Sequence, residues 1–288
     1  VKAHARAQIQ LAARDVVYES GDLAAAEASV CITLYNYAAF VVEALESAYA
    51  QTLRPLAVVV VDDCSRDDGA TRVERWMRSY GDRFAGVCLA RHAQNGGLAR
   101  ARNGAIDLAR SPYVMVLDAD NLLYPRCVER LLRSLDASPH AFAYSILERF
   151  GEHRGLMGTS SWDPDHLKLE NYIDAMALLR KSAWEQMGGY ERMQTGGWED
   201  YDFWCRCVEA GLDGLLVPEI LARYRVHGVS MLATETNRIE NARRVRAEML
   251  AVAPGRQRRD RVALAEHLIG APAERQSGQG RAGGLHQV

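Results

Sequence analysis

Short apolar runs alternate with amphipathic stretches of helix length between Ser29 and Leu117, and this alternation constrains the fold more than any other feature. The apolar runs have the length of strands, and the stretches between them repeat their apolar residues at helical spacing. Strands separated by single helices are joined by right-handed crossovers into a parallel sheet. The sequence therefore predicts an α/β fold of Rossmann-like type, with a mostly parallel central sheet flanked by helices. The predicted strands are Val30–Leu34, Ala57–Val61, Gly86–Ala90 and Tyr113–Leu117, and the predicted helices are Phe40–Ala50, Thr71–Tyr80 and Leu98–Ala109.

The rest of the chain divides around this regular core. Residues 1–27 are rich in alanine and mixed in charge, which predicts a helical entry segment or linker. One domain is expected over residues 28–252, with a regular half at about 28–122 and a less regular half at about 123–252. The last residues, 253–288, contain few large apolar side chains, which predicts a disordered tail.

The second half of the domain is harder to interpret. Residues 151–169 are rich in glycine, serine, aspartate and tryptophan, which predicts a long loop, and such a loop in a compact domain is usually functional. A helix near Glu199–Ala210 and a strand near Ala222–Val226 are the next clear elements. Trp162, Trp184 and Trp198 could stack on a ligand ring, although apolar surroundings favour a place in the core.

Charge and composition narrow the class of protein. The formal net charge is −2 and the basic side chains are scattered, which disfavours nucleic acid as a partner. No stretch reaches the roughly 18 consecutive apolar residues that span a bilayer. The six cysteines are widely spread and several lie inside apolar runs, so we predict a reducing, cytoplasmic location, with peripheral association at the inner face of the membrane as an alternative. Because the sequence begins at Val1 rather than methionine, we expect it to be part of a longer multidomain protein.

Two predicted strands end in aspartates. One runs into Asp62-Asp63 and another runs into Asp118-Ala119-Asp120. Aspartates in such places can serve only as helix caps or turn residues. The carboxyl ends of parallel strands meet at one edge of the sheet, however, and carboxylates gathered there repel each other unless a cation compensates. The pattern favours Mg²⁺ or Mn²⁺, which are commonly held by one or two carboxylates together with phosphate oxygens.

A glycine-rich segment precedes the third predicted helix. Asn95-Gly96-Gly97 is followed by Arg100 and Arg102 in the opening turns. The segment can be a simple tight turn, for which Asn-Gly is a strong signal. Before a helix it has a second use, because glycines allow close approach of the backbone and arginine pairs well with phosphate oxygens or a base edge.

Two more patterns lie near the end of the domain. Trp198-Glu199-Asp200 opens an amphipathic helix after a glycine pair, where the acids can interact with the helix dipole or provide a general base. His227 follows a predicted strand, where it can be structural or a ligand, since imidazole suits Mn²⁺ better than Mg²⁺.

Taken in order, these stretches resemble the family 2 glycosyltransferases of the GT-A fold. The resemblance covers residues 29 to about 232, and the ordered combination is specific although each piece alone is weak. The matching stretches are Ile32-Thr33-Leu34-Tyr35-Asn36, Val61-Asp62-Asp63-Cys64-Ser65, Asn95-Gly96-Gly97, Ala101-Arg102-Asn103, Leu117-Asp118-Ala119-Asp120, Trp198-Glu199-Asp200 and Tyr224-Arg225-Val226-His227.

The resemblance implies a donor site in the first half of the domain and an acceptor site in the second. Residues that would bind the nucleotide sugar are Thr33, Tyr35, Asp63, Arg100, Arg102 and Asp118. Asp63 would accept from the imide N–H of a uracil or similar base.

The same resemblance implies a metal site and a catalytic base. Asp120, Asp118 and His227 would hold Mn²⁺ or Mg²⁺, with Asp120 as the direct ligand and Asp118 nearer the ribose or sugar. Asp200 would be the base and Glu199 the acid that positions the acceptor. A single displacement by a glycan, lipid-linked or small-molecule acceptor hydroxyl would then invert the anomeric configuration.

Two other functions share parts of this pattern. A nucleotidyltransferase acting on sugar phosphates also places acids at strand ends, but it usually needs a basic glycine-rich loop after the first strand, where this chain has Thr33-Leu34-Tyr35. A phosphoacceptor signalling domain would be shorter and would have no use for Asp200 or His227.

Overall fold

The computed structural model describes residues 9–167, 170–191 and 197–228, and within them ten strands form one sheet. The strands are β1 (Arg14–Gly21), β2 (Ala28–Leu34), β3 (Leu56–Asp62), β4 (Gly86–His92), β5 (Tyr113–Asp118), β6 (Leu122–Leu123), β7 (Phe142–Gly151), β8 (Gly155–Met157), β9 (Ala177–Arg180) and β10 (Gly214–Val226). The helices are α1 (Val41–Tyr49), α2 (Gly69–Tyr80), α3 (Leu98–Leu108), α4 (Cys127–Asp136), α5 (Pro164–Leu167), α6 (Lys181–Met187) and α7 (Glu199–Ala210).

The middle of the sheet is parallel, as predicted. Its strands follow the order β1-β4-β3-β2-β5-β9-β7-β10-β6, and β4, β3, β2 and β5 are parallel neighbours. Both β2 and β3 are buried along their whole length, because helices cover both faces of the sheet. The register pairs Thr33 with Asp118 and Leu34 with Asp62, so the acids at the ends of β3 and β5 lie at the same edge.

Two apolar cores lie on opposite faces of this sheet. Val30 and Ile32 of β2 point into the core covered by α1, α2 and α4, whereas Cys31 between them points into the core covered by α3, α6 and α7. This alternation is the ordinary consequence of a strand's two-residue period. All four helices predicted from apolar periodicity are present, with bounds that differ by at most two residues.

The prediction of a helical entry segment is wrong for residues 14–21, which form β1. This strand pairs antiparallel with β4, from Arg14 opposite His92 to Gly21 opposite Gly86. It lies at the outer edge of the sheet, and Val16 and Val17 are exposed. The backbone groups of β4 need partners on that side, and pairing outweighs the weak helical preference of this stretch. Residues 1–8 lie outside the described part of the chain.

The second half of the domain is less regular and contains elements that the sequence did not indicate. Strand β9 lies antiparallel between β5 and β7, and α6 follows it at once. The predicted loop over residues 151–169 is interrupted by β8 and α5. Strand β10 has register shifts around Pro218, which cannot donate to a ladder and is confined to bulges and edges.

The end of the predicted domain and the whole predicted tail lie outside the residues that the structure describes. Residues 229–252 and the predicted tail at 253–288 are outside the described residues, so the domain boundaries stay predictions. In the described ranges, no helix has both the length and the apolar character that crossing a membrane would require.

All six cysteines are free thiols, and Cys31, Cys88, Cys127 and Cys207 are buried among apolar side chains.

Candidate active site

The site lies at the carboxyl ends of the parallel strands, where Asp118 is held by two neighbours. Thr33 donates its hydroxyl to Asp118 Oδ1 at 3.0 Å, and Arg102 Nη2 donates to both carboxylate oxygens at 3.0 and 3.1 Å. The Arg102 side chain is 4% exposed, whereas Asp118 is 26% exposed. Thr33 and Arg102 therefore lie beneath Asp118, which is the member of the three that faces solvent.

Arg102 also interacts with acids of the second half of the domain. Burial by itself would lower the pKa of its guanidinium, but Asp118, with smaller contributions from Asp200 and Glu199, raises that pKa overall. The guanidinium carbon lies 5.6 Å from the ring centre of Tyr190. One buried cation is thus shared by carboxylates from β5 and α7.

Asp63 organises the glycine-rich segment that precedes α3. Its Oδ1 accepts from the Gly96 amide at 2.7 Å and lies 2.6 Å from His92 Nδ1, and its Oδ2 accepts from the Gly97 amide at 2.8 Å. Gly97 has a φ of 85°, a conformation that favours glycine. The Asp63 side chain is 5% exposed, so its observed contacts fix the turn, and its predicted contact with a base stays a prediction.

Asp62 is a structural residue. Its carboxylate is fully buried, pairs with Arg91 Nε at 3.0 Å and accepts from the Ser65 amide. The Ser65 hydroxyl in turn accepts from the Asn36 amide at 2.9 Å. These contacts fix the loop after β2, on which the predicted nucleotide residue Tyr35 is 40% exposed.

Asp120 and His227 lie side by side. His227 Nε2 is 3.0 Å from Asp120 Oδ2, and the two side chains are 12% and 13% exposed. Burial, and then repulsion from Asp118, raises the pKa of Asp120, while His227 opposes that shift. The His227 ring packs against Phe40 and Tyr37, at ring-centre distances of 5.2 and 5.8 Å.

The predicted three-ligand metal site is only partly assembled. Across the described ranges there is no group of three or more histidine, cysteine, aspartate or glutamate side chains arranged to hold a metal ion. Asp118 is instead engaged by Thr33 and Arg102. Asp120 and His227 do fit a cation that needs two protein ligands and takes further oxygens from a diphosphate, because their paired atoms already converge.

The predicted base lies at the start of α7. Asp200 is partly exposed; its Oδ1 accepts from the Tyr201 amide at 2.8 Å and its Oδ2 from Asn171 Nδ2 at 3.3 Å. Burial raises the pKa of Asp200, although Arg102 opposes the shift. A carboxylate with a raised pKa is a better proton acceptor near neutral pH.

The two residues before Asp200 in the sequence, Trp198 and Glu199, have an unusual backbone conformation and an unusual burial, respectively. Trp198, which precedes the helix, has a φ of 70°, a conformation that a large side chain adopts only when its surroundings enforce it. Glu199 is 4% exposed, its Oε1 accepts from the Gly197 amide at 3.3 Å, and burial raises its pKa. The observed contact of Glu199 is with the backbone, and its predicted contact with an acceptor stays a prediction.

Sequence reasoning missed two residues beside Asp200. Asn171 donates to the Asp200 carboxylate, and its own Oδ1 is a buried atom that has no hydrogen-bond partner among the described residues. Asp174 accepts from the Met176 amide at 2.9 Å, and burial, reinforced by the charges of Asp200 and Asp118, raises its pKa to about 7. An acid inside the apolar run Tyr172–Leu179 was the available signal for Asp174, whereas nothing in the sequence distinguishes Asn171.

Two residues noted in the sequence prove to be structural. Asn103 is fully buried, and its side chain accepts from Trp184 Nε1 and the Tyr190 amide while donating to the Tyr190 carbonyl. Trp184 is 1% exposed, so the idea that it stacks on a ligand ring is wrong. Arg100, predicted to bind the nucleotide, lies half-buried in the first turn of α3.

Comparison with solved structures identifies the fold as GT-A. S. aureus TarS (1–349) in complex with UDP-GlcNAc superposes with a TM-score of 0.65 at 17% identity, over 84% of this chain and 71% of that one. The mannosyltransferase PcManGT from Pyrobaculum calidifontis, in complex with GDP-Man and Mn²⁺, gives 0.61 at 20% identity, over 87% and 72%.

Sequence comparison gives the family. The chain belongs to glycosyl transferase family 2, whose profile matches residues 29–207. A similar curated protein is the uncharacterized protein y4gI of Sinorhizobium fredii (strain NBRC 101917 / NGR234), which is 29% identical over 247 residues. That alignment covers 83% of this chain but only 25% of the relative's length.

Proposed function

We propose that this domain transfers a sugar from a nucleoside diphosphate sugar to an acceptor hydroxyl, with inversion at the anomeric carbon. The proposal is supported by the buried Arg102, which donates to Asp118 and whose pKa is raised in part by the charge of Asp200. A residue proposed for the donor and the residue proposed as the base thus both act on one buried cation.

On the donor side, Asp120 and His227 would hold Mn²⁺ or Mg²⁺. Such an ion, when bound, stabilises the negative charge that develops on a departing diphosphate. Asp118 keeps its orientation through Thr33 and Arg102 and, being the more exposed, would contact the ribose or the sugar. Tyr35 and Asp63 would lie at the base, for which we propose a uracil.

On the acceptor side, Asp200 would take the proton of the attacking hydroxyl. The acceptor oxygen forms the new bond to the anomeric carbon while the bond from that carbon to the diphosphate oxygen breaks, and the displaced diphosphate keeps the electron pair. Because attack comes from the face opposite the leaving group, the configuration inverts. Asn171 holds the Asp200 carboxylate, and Glu199 lies next to it in the chain.

A donor panel tests the proposal. The protein is incubated with UDP- and GDP-sugars and either Mn²⁺ or Mg²⁺, and release of nucleoside diphosphate is measured beside direct binding of UDP and GDP. We expect release from at least one donor, favouring a UDP-sugar, and tighter nucleotide binding with the metal. Absence of both release and metal-dependent binding would refute the proposal.

A further inference from the structure

Arg225, near the end of β10, lies outside the predicted site but contacts Asp120, α1 and two aromatic rings. Its Nε donates to the backbone carbonyl of Asp120 at 2.8 Å, and its Nη2 donates to Glu43 of α1 at 2.7 Å. The guanidinium carbon lies 4.8 Å from the ring centre of Phe40 and 4.5 Å from that of Phe150. The side chain is 14% exposed, so a cation is almost enclosed at this position.

The backbone of β10 is also joined to the turn at residues 118–121, which we call the acidic turn. The Arg225 amide donates to Asn121 Oδ1 at 2.9 Å, and the Asn121 amide donates to the Asp118 carbonyl at 3.1 Å. Directly after this turn, β6 pairs antiparallel with β10, with Leu122 opposite Arg223. The acidic turn therefore continues into a ladder along β10, and its position depends on that strand.

Arg225 lies in β10 and His227 directly follows that strand, and both reach Asp120. Arg225 donates to the Asp120 backbone carbonyl, while His227 contacts the Asp120 carboxylate. Two atoms of Asp120 are thus contacted by the end of β10 and the residue that follows it.

We propose that Arg225 is a positioning residue that holds Asp120 and His227 in the arrangement in which they bind a divalent cation. The proposal rests on the metal site of the proposed function. The contact of Arg225 with Glu43 is less important, because that carboxylate is 54% exposed and exposed ion pairs contribute little. The contact with the Asp120 carbonyl is the decisive one, since it acts on the residue that would bind the ion.

The chain provides a matched control on the same strand. Arg223 points to the same face, donates to Glu148 at 3.0 Å and lies 4.2 Å from the ring centre of the same Phe150. Among the described residues, its side chain bonds Glu148 and not the acidic turn. Arg223→Met therefore removes a charge, an ion pair and a ring contact of the same kind, without removing the bond to Asp120.

The test measures UDP and GDP binding, by calorimetry, at increasing Mn²⁺ and in EDTA. We expect Arg225→Met to raise the Mn²⁺ concentration that gives half-maximal enhancement of nucleotide binding about 10- to 100-fold, because changes to residues that support metal ligands typically weaken metal binding by such a factor. Nucleotide binding in EDTA should stay unchanged. Arg225→Lys should fall between, because an ammonium cannot reproduce the fork of guanidinium donors. Arg223→Met should stay within about twofold of the parent, and Asp120→Ala should abolish the enhancement.

Three results would overturn the inference. The first is a parental Mn²⁺ requirement in a folded Arg225→Met protein, with folding checked by thermal melting. The second is an equal shift in Arg223→Met. If Arg225→Met does not fold, a parental Mn²⁺ requirement in Arg225→Lys is the third. A parental protein whose nucleotide binding ignores Mn²⁺ would instead refute the proposed metal site itself.

Discussion

Two groups of acids surround the site, and they differ in how their charge is compensated. Of the strand-end acids, Asp62, Asp63 and Asp118 are held by arginine, by backbone amides or by a histidine, whereas Asp120 contacts His227 and burial raises its pKa. The second-half acids are Asp174, Glu199 and Asp200. Their hydrogen bonds come from backbone amides and, for Asp200, also from Asn171, and burial raises the pKa of each one.

The difference suits two kinds of chemistry. Partnered carboxylates are held in fixed positions by their hydrogen bonds, which suits a frame that orients a bound ligand. Buried carboxylates with weak compensation exchange protons closer to neutral pH, which is the property of a general base. Four experiments can sharpen or break this contrast.

The largest effect is expected from Asp200→Asn. The amide keeps the size of the side chain but cannot accept a proton, so turnover should fall about 10²- to 10⁴-fold while UDP or GDP binding is kept. Steady-state rates and nucleotide calorimetry would measure the two quantities. Asp82→Asn, an exposed change of the same kind, is the control. Parental turnover in Asp200→Asn would show that another group is the base.

Asp118→Asn tests how much the partner of a strand-end acid contributes to the free energy of unfolding. It leaves the buried Arg102 without its carboxylate partner, a loss that costs about 3 to 5 kcal/mol when a pair is fully buried. Asp118 is 26% exposed, so we expect about 2 kcal/mol less free energy of unfolding in urea. Asp68→Asn breaks an exposed pair with Arg72 and should change it by less than about 1 kcal/mol. Equal losses in both variants would contradict the contrast.

Asp174→Asn should have the opposite effect on stability. The pKa of Asp174 is about 7 in the folded protein and about 3.9 in an unfolded chain, so between these pH values the folded state binds more protons. The free energy of unfolding therefore falls as pH rises through this window, and asparagine removes that fall. We expect the gain of the variant over the parent to be about 2 kcal/mol larger at pH 8 than at pH 5, in urea titrations. A gain that is the same at both pH values would count against the assignment.

The smallest effect concerns the pH dependence of turnover. Since Asp200 must be ionised to act, kcat/KM should fall on the acid side at a pH above the ordinary range of aspartate. Arg102, Asp118, Asn171 and Asp174 all act on it, and repulsion between Asp174 and Asp200 is mutual. Asp174→Asn should move the acid limb to lower pH by less than about one unit. A limb that moves to higher pH would show that Asp174 does not repel the base.

The first half of the domain could be predicted because its signals are local. Strands β2 to β5 are apolar runs, α1 to α3 have apolar periodicity, and the acids follow their strands directly in the chain. The entry segment failed for the opposite reason. Residues 14–21 form β1 only because β4 offers a free edge, which the local sequence cannot reveal.

The site shows the same division. The sequence indicated Asp120 and His227, 107 positions apart, through motifs at two strand ends, and the structure brings them to 3.0 Å. Asn171 and Asp174 lie in a stretch without a motif, and their importance comes from where β9 enters the sheet between β5 and β7. The position of β9 depends on pairing with strands that are distant in the sequence, so the sequence around β9 carries only a weak local pattern.

The sequence by itself determined the parallel α/β core, the acids at its carboxyl edge and the resemblance to glycosyltransferases, because the hydrophobic period and strand-end motifs are written locally. Only the tertiary structure decided which acids have a charged partner that compensates their charge and which do not. The reason is physical, since a carboxylate's proton affinity depends on burial and on partners that arrive from distant elements. Asp118 and Asp200 look alike in the sequence, and the fold alone gives one of them Arg102 and a hydroxyl and leaves the other with Asn171.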